Sequence, residues 1–81
     1  MRIVISKAAG ISLRRSNKRA ILAHKIEQLA NDPDALSANI IRLKGRTDFR
    51  LRVQDWRIIF RIENDQILID EIEPRGSAYE V

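Results

Sequence analysis

A length of 81 residues bounds this chain to one small domain, 1–81, close to the lower limit for a self-sufficient hydrophobic core. It has no cysteine and a single histidine, His24, which excludes disulfides and the usual zinc ligand sets. Fifteen Lys and Arg against eleven Asp and Glu give a net charge of +4, which favours a polyanionic partner, and no apolar run is long enough to span a membrane.

Taken in order, Arg2-Ile3-Val4-Ile5 reads as a first β-strand, and Met1 to Ser6 is too short to form a signal peptide, so a cytoplasmic location is expected. Lys7 to Arg15 reads as a short helix with Ala8, Ile11 and Leu13 turned inward, weakened by Gly10. Ser16-Asn17 is expected to cap a second helix over about Lys18 to Ala30. Leu22, Ile26 and Leu29, joined by Ile21 and Ala30, form its apolar stripe. Asp32-Pro33 ends it, because proline restricts the residue before it and has no amide hydrogen to donate. Two amphipathic helices in succession predict a helical hairpin lying on one face of a sheet. His24 is expected to be an ordinary, partly exposed helix residue, since no acid or nucleophile is placed to work with it.

Residues 34–47 read as a connection, tacked to the core by Ile40, Ile41 and Leu43 and turned at Lys44-Gly45-Arg46, where glycine permits unusual backbone angles. Two strands then flank Gln54-Asp55. Phe49, Leu51 and Val53 alternate with Arg50 and Arg52; Trp56, Ile58, Phe60 and Ile62 alternate with Arg57 and Arg61. Period-two alternation separates apolar side chains from arginines on opposite faces. If Gln54-Asp55 is a two-residue loop, Val53 faces Trp56, Leu51 faces Ile58, Phe49 faces Phe60, and Arg52 lies opposite Arg57. Like charges so paired are destabilising, so the cluster points to an anion over it, and guanidinium groups match phosphate oxygens in a bidentate way. A solvated basic face is the plainer explanation; the density of arginine argues against it. A turn follows at Asn64-Asp65, then a strand from Ile67 in which Ile72 is out of phase with Ile67 and Ile69, consistent with a bulge near Asp70-Glu71. Pro74 ends that strand and Arg75 to Val81 form a short tail.

In this order and spacing, Leu43-Lys44-Gly45, Phe49-Arg50-Leu51-Arg52-Val53, Asp55-Trp56-Arg57-Ile58-Ile59-Phe60-Arg61-Ile62 and Arg75-Gly76-Ser77-Ala78-Tyr79 resemble the RelE/ParE superfamily of toxins from bacterial type II toxin–antitoxin pairs. The resemblance implies an α+β fold, a small antiparallel β-sheet with the N-terminal helical hairpin packed on one face. RelE-like members are metal-independent endonucleases, without cofactor, that cut mRNA in the ribosomal decoding site through attack of the ribose 2′-hydroxyl on the adjacent phosphate. ParE-like members poison DNA gyrase and lack that catalytic set. By the resemblance, Arg50, Arg52, Arg57, Arg75 and Tyr79 match the catalytic positions, which favours the ribonuclease; a gyrase inhibitor or an inactive homologue is the alternative. Expected partners are a cognate antitoxin, in a toxin–antitoxin hetero-oligomer, and the ribosome with its mRNA.

One departure bears on mechanism. The RelE-type strand usually presents lysines where this chain has Arg50 and Arg52, and arginine, protonated in any protein, is a poor general base. On this reading Arg50, Arg52 and Arg57 grip the phosphate and stabilise the transition state, Arg75 assists the leaving 5′-oxygen, and Tyr79 stacks on a base or shuttles a proton. The bland rivals are Tyr79 packing at the sheet edge and Arg75 pairing with Glu73 or Glu80. Lys44, Arg46 and Arg61 are expected as peripheral RNA contacts, Arg61 with a structural role as the stronger rival. Trp56 and Phe60 belong to the core, and Asp48, Asp55 and Asp70 are not expected to converge on a metal.

Overall fold

The structure is a computed structural model that describes residues 1–74. These residues fold as β1 (Arg2–Ile5), α1 (Lys7–Arg15), α2 (Arg19–Asn31), a 3-10 helix (Pro33–Asn39), β2 (Ile40–Arg42), β3 (Phe49–Val53), β4 (Trp56–Glu63) and β5 (Gln66–Pro74). The sheet order is β1-β5-β4-β3-β2, antiparallel throughout except that β1 joins β5 in parallel. β1 and β5 stand at opposite ends of the sequence, so no hairpin turn ties them into antiparallel pairing.

The helices cover one face. Ala9 of α1 and Leu22, Ile26, Leu29 and Ala30 of α2 are buried against Leu51, Val53, Ile58, Phe60, Ile67, Ile69 and Ile72 of the sheet. The expected stripe of α2 therefore faces inward, except that Ile21 stays exposed. The rings of Phe49 and Phe60 stack across β3 and β4 with centroids 5.5 Å apart, a geometry that adds to simple area burial. Trp56 packs against the same core.

Several local expectations need adjusting. The second helix starts at Arg19, and its N-cap, Lys18, makes no side-chain capping bond. Ser16 acts one turn earlier instead: it ends α1, is buried, and its hydroxyl accepts a hydrogen bond from the Lys18 amide at 2.9 Å. The connection after Pro33 is not irregular. It forms the 3-10 helix, which buries Leu36, and then β2. Sequence reasoning missed β2 because three residues are too few for alternation to register.

Both hairpin turns fall where expected. Gln54 has φ +53°, and Asn64 and Asp65 have φ +51° and +60°, the left-handed angles that tight hairpin turns demand and that Asn and Asp tolerate best. Gly45 turns the β2–β3 loop with φ +72°.

The bulge is also present. Ile59 pairs with Glu71 and Phe60 with Ile69, so Asp70 is the extra residue of β5. This one-residue insertion returns Ile72 to the core face and puts Glu71 and Glu73 on the other. Ser6 fastens it from the β1–α1 junction: its hydroxyl donates to the Asp70 carbonyl at 2.8 Å while accepting from the Ala9 amide at 3.0 Å as the N-cap of α1.

Candidate nucleic-acid interface

The face of the sheet turned away from the helices carries the arginines. Strand pairing lays them out in rows. Arg52 of β3 lies opposite Arg57 of β4, whose other neighbour is Glu73 of β5. The next row runs Ile41, Arg50, Ile59, Glu71. Arg61 follows, beside Leu68. Across neighbouring strands, side-chain attachment points are roughly 5 Å apart, so Arg50, Arg52 and Arg57 fit within the reach of one phosphodiester. Among the described residues neither Arg50 nor Arg52 makes an ion pair.

Ile59 is the odd member of this face. It is only 6 % exposed, yet it stands outside the cluster that forms the main core. Its row and strand neighbours are Arg50, Glu71, Arg57 and Arg61. A buried aliphatic floor removes water from beneath the arginines, and charges over a drier surface act on an anion more strongly than in bulk water.

Arg61 is committed differently. Its guanidinium donates to both carboxylate oxygens of Asp70, at 2.7 and 3.1 Å, and to Glu63 at 2.8 Å. These two carboxylates, Asp70 foremost, raise its pKa above the ordinary arginine value. With two anionic partners it contributes little net charge to the face, and its role is to hold β4 to the bulge of β5. Lys44 and Arg46 sit on the β2–β3 loop rather than on the sheet, and Arg46 is paired with the buried Asp48 at 2.5 Å. Arg75 and Tyr79 lie outside the described residues. His24 is exposed on α2, and among the described residues no three His, Cys, Asp or Glu side chains are grouped to hold a metal ion. Nor is any helix among them long and apolar enough to cross a membrane.

The arrangement, then, is a cationic strip along β3 and β4 bordered by acids on β5. The family model described as ParE toxin of type II toxin–antitoxin system, parDE, matches residues 5–79. The chain belongs to this toxin family. Solved structures agree on the fold of the wider RelE/ParE superfamily. The RelB–RelE antitoxin–toxin complex from Methanococcus jannaschii matches with a TM-score of 0.77 at 22% identity over 95% of each chain. The archaeal RelE–RelB complex from Pyrococcus horikoshii OT3 gives 0.75 at 24% identity, covering 93% of this chain and 94% of that one. YafQ from E. coli strain BL21(DE3) gives 0.73 at 15% identity over 98% and 99%. No curated protein matches the sequence. Identities this low speak for the shared fold, and the chemistry of this toxin has to be argued from its own residues.

Proposed function

We infer that this toxin is a ribosome-dependent, metal-independent mRNA endonuclease that arrests translation and is held inactive by a cognate antitoxin. The observation that carries this reading is the facing pair Arg52 and Arg57, with Arg50 one row away, on the sheet face that the helices leave open. A phosphodiester bound on this face would meet several guanidinium donors at once.

In the proposed reaction the ribose 2′-oxygen attacks the adjacent phosphorus, a 2′,3′-cyclic phosphate forms, and the bond to the 5′-oxygen breaks. Arg50, Arg52 and Arg57 hold the non-bridging oxygens and stabilise the charge that accumulates on them. Arginine cannot take the 2′-hydroxyl proton. That proton goes to Tyr79, a ribosomal group or the phosphate itself, and Arg75 assists the leaving oxygen. The same face suits an antitoxin that neutralises it, in keeping with the antitoxin-bound state of several structural relatives.

A second reading, a gyrase inhibitor, is favoured by the ParE description of the family model and by arginine standing where RelE-type nucleases carry lysine. Purified chain added to ribosomes programmed with a defined message separates the two. Cleavage yielding a 5′-hydroxyl fragment, reduced about 10²–10³-fold in Arg57→Ala, supports the nuclease. Intact messages together with gyrase trapped on cleaved DNA overturn it.

A further inference from the structure

A second charged surface lies on the helices. Arg14 and Arg15 fill the last turn of α1, and Lys18 and Arg19 open α2. All four are exposed, and among the described residues none of them makes an ion pair. The first acid in the chain is Glu27, eight residues beyond Arg19. Without these four side chains the sequence holds eleven Lys and Arg against eleven Asp and Glu, so they amount to its whole net charge. Helix stability does not account for them. Lys18 and Arg19 stand at the N-terminal end of α2, with no acid in its first turn, where the helix dipole disfavours a cation. The fold also sets this turn apart from the arginine strip. α1 starts at Ser6, whose hydroxyl bonds the Asp70 carbonyl, and α2 comes back to place the Ala30 carbonyl 2.9 Å from the Met1 amine. The turn between them therefore lies toward the end of the sheet where Pro74 meets Trp56, and Arg52 and Arg57 stand at that end on the opposite face. The sheet separates the two clusters, so a phosphodiester held by one is out of reach of the other.

We propose that the α1–α2 turn is a second RNA contact, which grips the phosphate backbone of a double-helical segment of ribosomal RNA while the sheet face works on the message. That this RNA is ribosomal rests on the ribosome-dependent reading above. The make-up of the surface separates nucleic acid from protein as the partner. The cores of protein–protein interfaces are depleted in charge and carry aromatic or Met anchors, whereas interfaces with nucleic acid are much more positive. From Arg14 to Ala20 every residue except Ser16 is exposed, and none is a large apolar one. No ring stands among them on which a base could stack. The contact on offer is to phosphate, and proteins hold double-stranded RNA in that way, by shape and backbone rather than by sequence. Arg14 and Arg15 can each span two phosphate oxygens, and Lys18 adds a point charge. Arg19 gives part of its guanidinium to the Arg14 carbonyl, at 3.3 Å, which ties the end of α1 to the start of α2 and fixes the cluster in place. Cationic surfaces on opposite faces let a folded RNA hold the toxin on one side while a single strand lies on the other.

The test uses RNA alone before any cleavage is measured. The double variant Arg15→Gln/Lys18→Gln is chosen because neither side chain makes a hydrogen bond within the described residues, Lys18 being held only by its main-chain amide. Circular dichroism should show it folded like the wild type. In fluorescence anisotropy with an RNA hairpin stem, it should lose about 0.7–0.9 of the log–log salt slope for each cation removed, and Kd should rise roughly tenfold. Its binding to unstructured RNA should be nearly unchanged, and Arg52→Ala should show the reverse pattern. On programmed ribosomes, the ribosome concentration for half-maximal single-turnover cleavage should rise roughly tenfold while the maximal rate stays at the wild-type value. Lys18→Gln alone should lose one cation's share of the slope, which decides the matter if the double variant misfolds. If the stem is released as expected but the wild type cuts no message, the duplex contact stands and its ribosomal assignment falls with the nuclease reading. If messages are cut and the variant keeps the wild-type slope and half-saturation, the proposal falls and the nuclease reading stands. Equal losses on stem and single strand, tighter binding to a DNA duplex of the same length, or a loss of antitoxin binding alone overturn the proposal as well.

Discussion

At the scale of single residues, what separates the arginines of this face is whether an acid already holds them. Arg61 is gripped by Asp70 and Glu63, whereas Arg52 has no carboxylate partner among the described residues. The two carry the same charge in the sequence and opposite roles in the fold. If Arg52 acts only by charge, Arg52→Lys keeps a cation over the phosphate and should cleave within about tenfold of wild type. Arg52→Ala loses it and should fall by about 10²–10³, as when one transition-state donor is removed. Single-turnover cleavage on programmed ribosomes measures both.

At the scale of elements, the bulge of β5 governs the layout. It moves Glu71 and Glu73 off the core face, offers Asp70 to Arg61, and turns the Asp70 carbonyl to the Ser6 hydroxyl. One serine thereby fixes the start of α1 and the irregular strand together. Ser6→Ala should cost about 0.5–2 kcal/mol, the range for losing an N-cap, measured as a shift in the denaturant midpoint with an unchanged slope. An effect near the upper end is expected, because the bulge loses its anchor in the same substitution.

At the scale of the whole molecule, a thin core supports a surface rich in arginine. The stability of a domain this size is about 4–12 kcal/mol at roughly 0.05–0.15 kcal/mol per residue. Phe60 is almost fully buried and joins the helices to β3 through Phe49. Phe60→Ala should cost about 3–5 kcal/mol and leave much of the chain unfolded unless the antitoxin is present, which circular dichroism with and without that partner will show. Binding to single-stranded RNA should weaken with salt by a log–log slope of about 0.7 per phosphate neutralised. Removing Arg50 or Arg52 should each lower that slope by about that amount in fluorescence anisotropy, while Arg61→Ala should leave it nearly unchanged because two carboxylates already balance its charge.

Local signals made much of this legible. Alternation around Gln54-Asp55 determined the register that sets Arg52 opposite Arg57, since a two-residue turn leaves no other pairing, and the phase slip at Ile72 announced the bulge. The helical hairpin was equally plain from its apolar spacing, although α1 buries Ala9 and leaves exposed the Ala8 that was expected to turn inward. Three things were decided only by long-range contacts: the parallel docking of β1 on β5, the pairing of Arg61 with Asp70 across the bulge, and the three-residue β2 that brings Asn39 and Ile41 beside Arg50. A period of two can be read within a strand, but which strands become neighbours, and which acid reaches which arginine, depends on how the sheet closes over its helices.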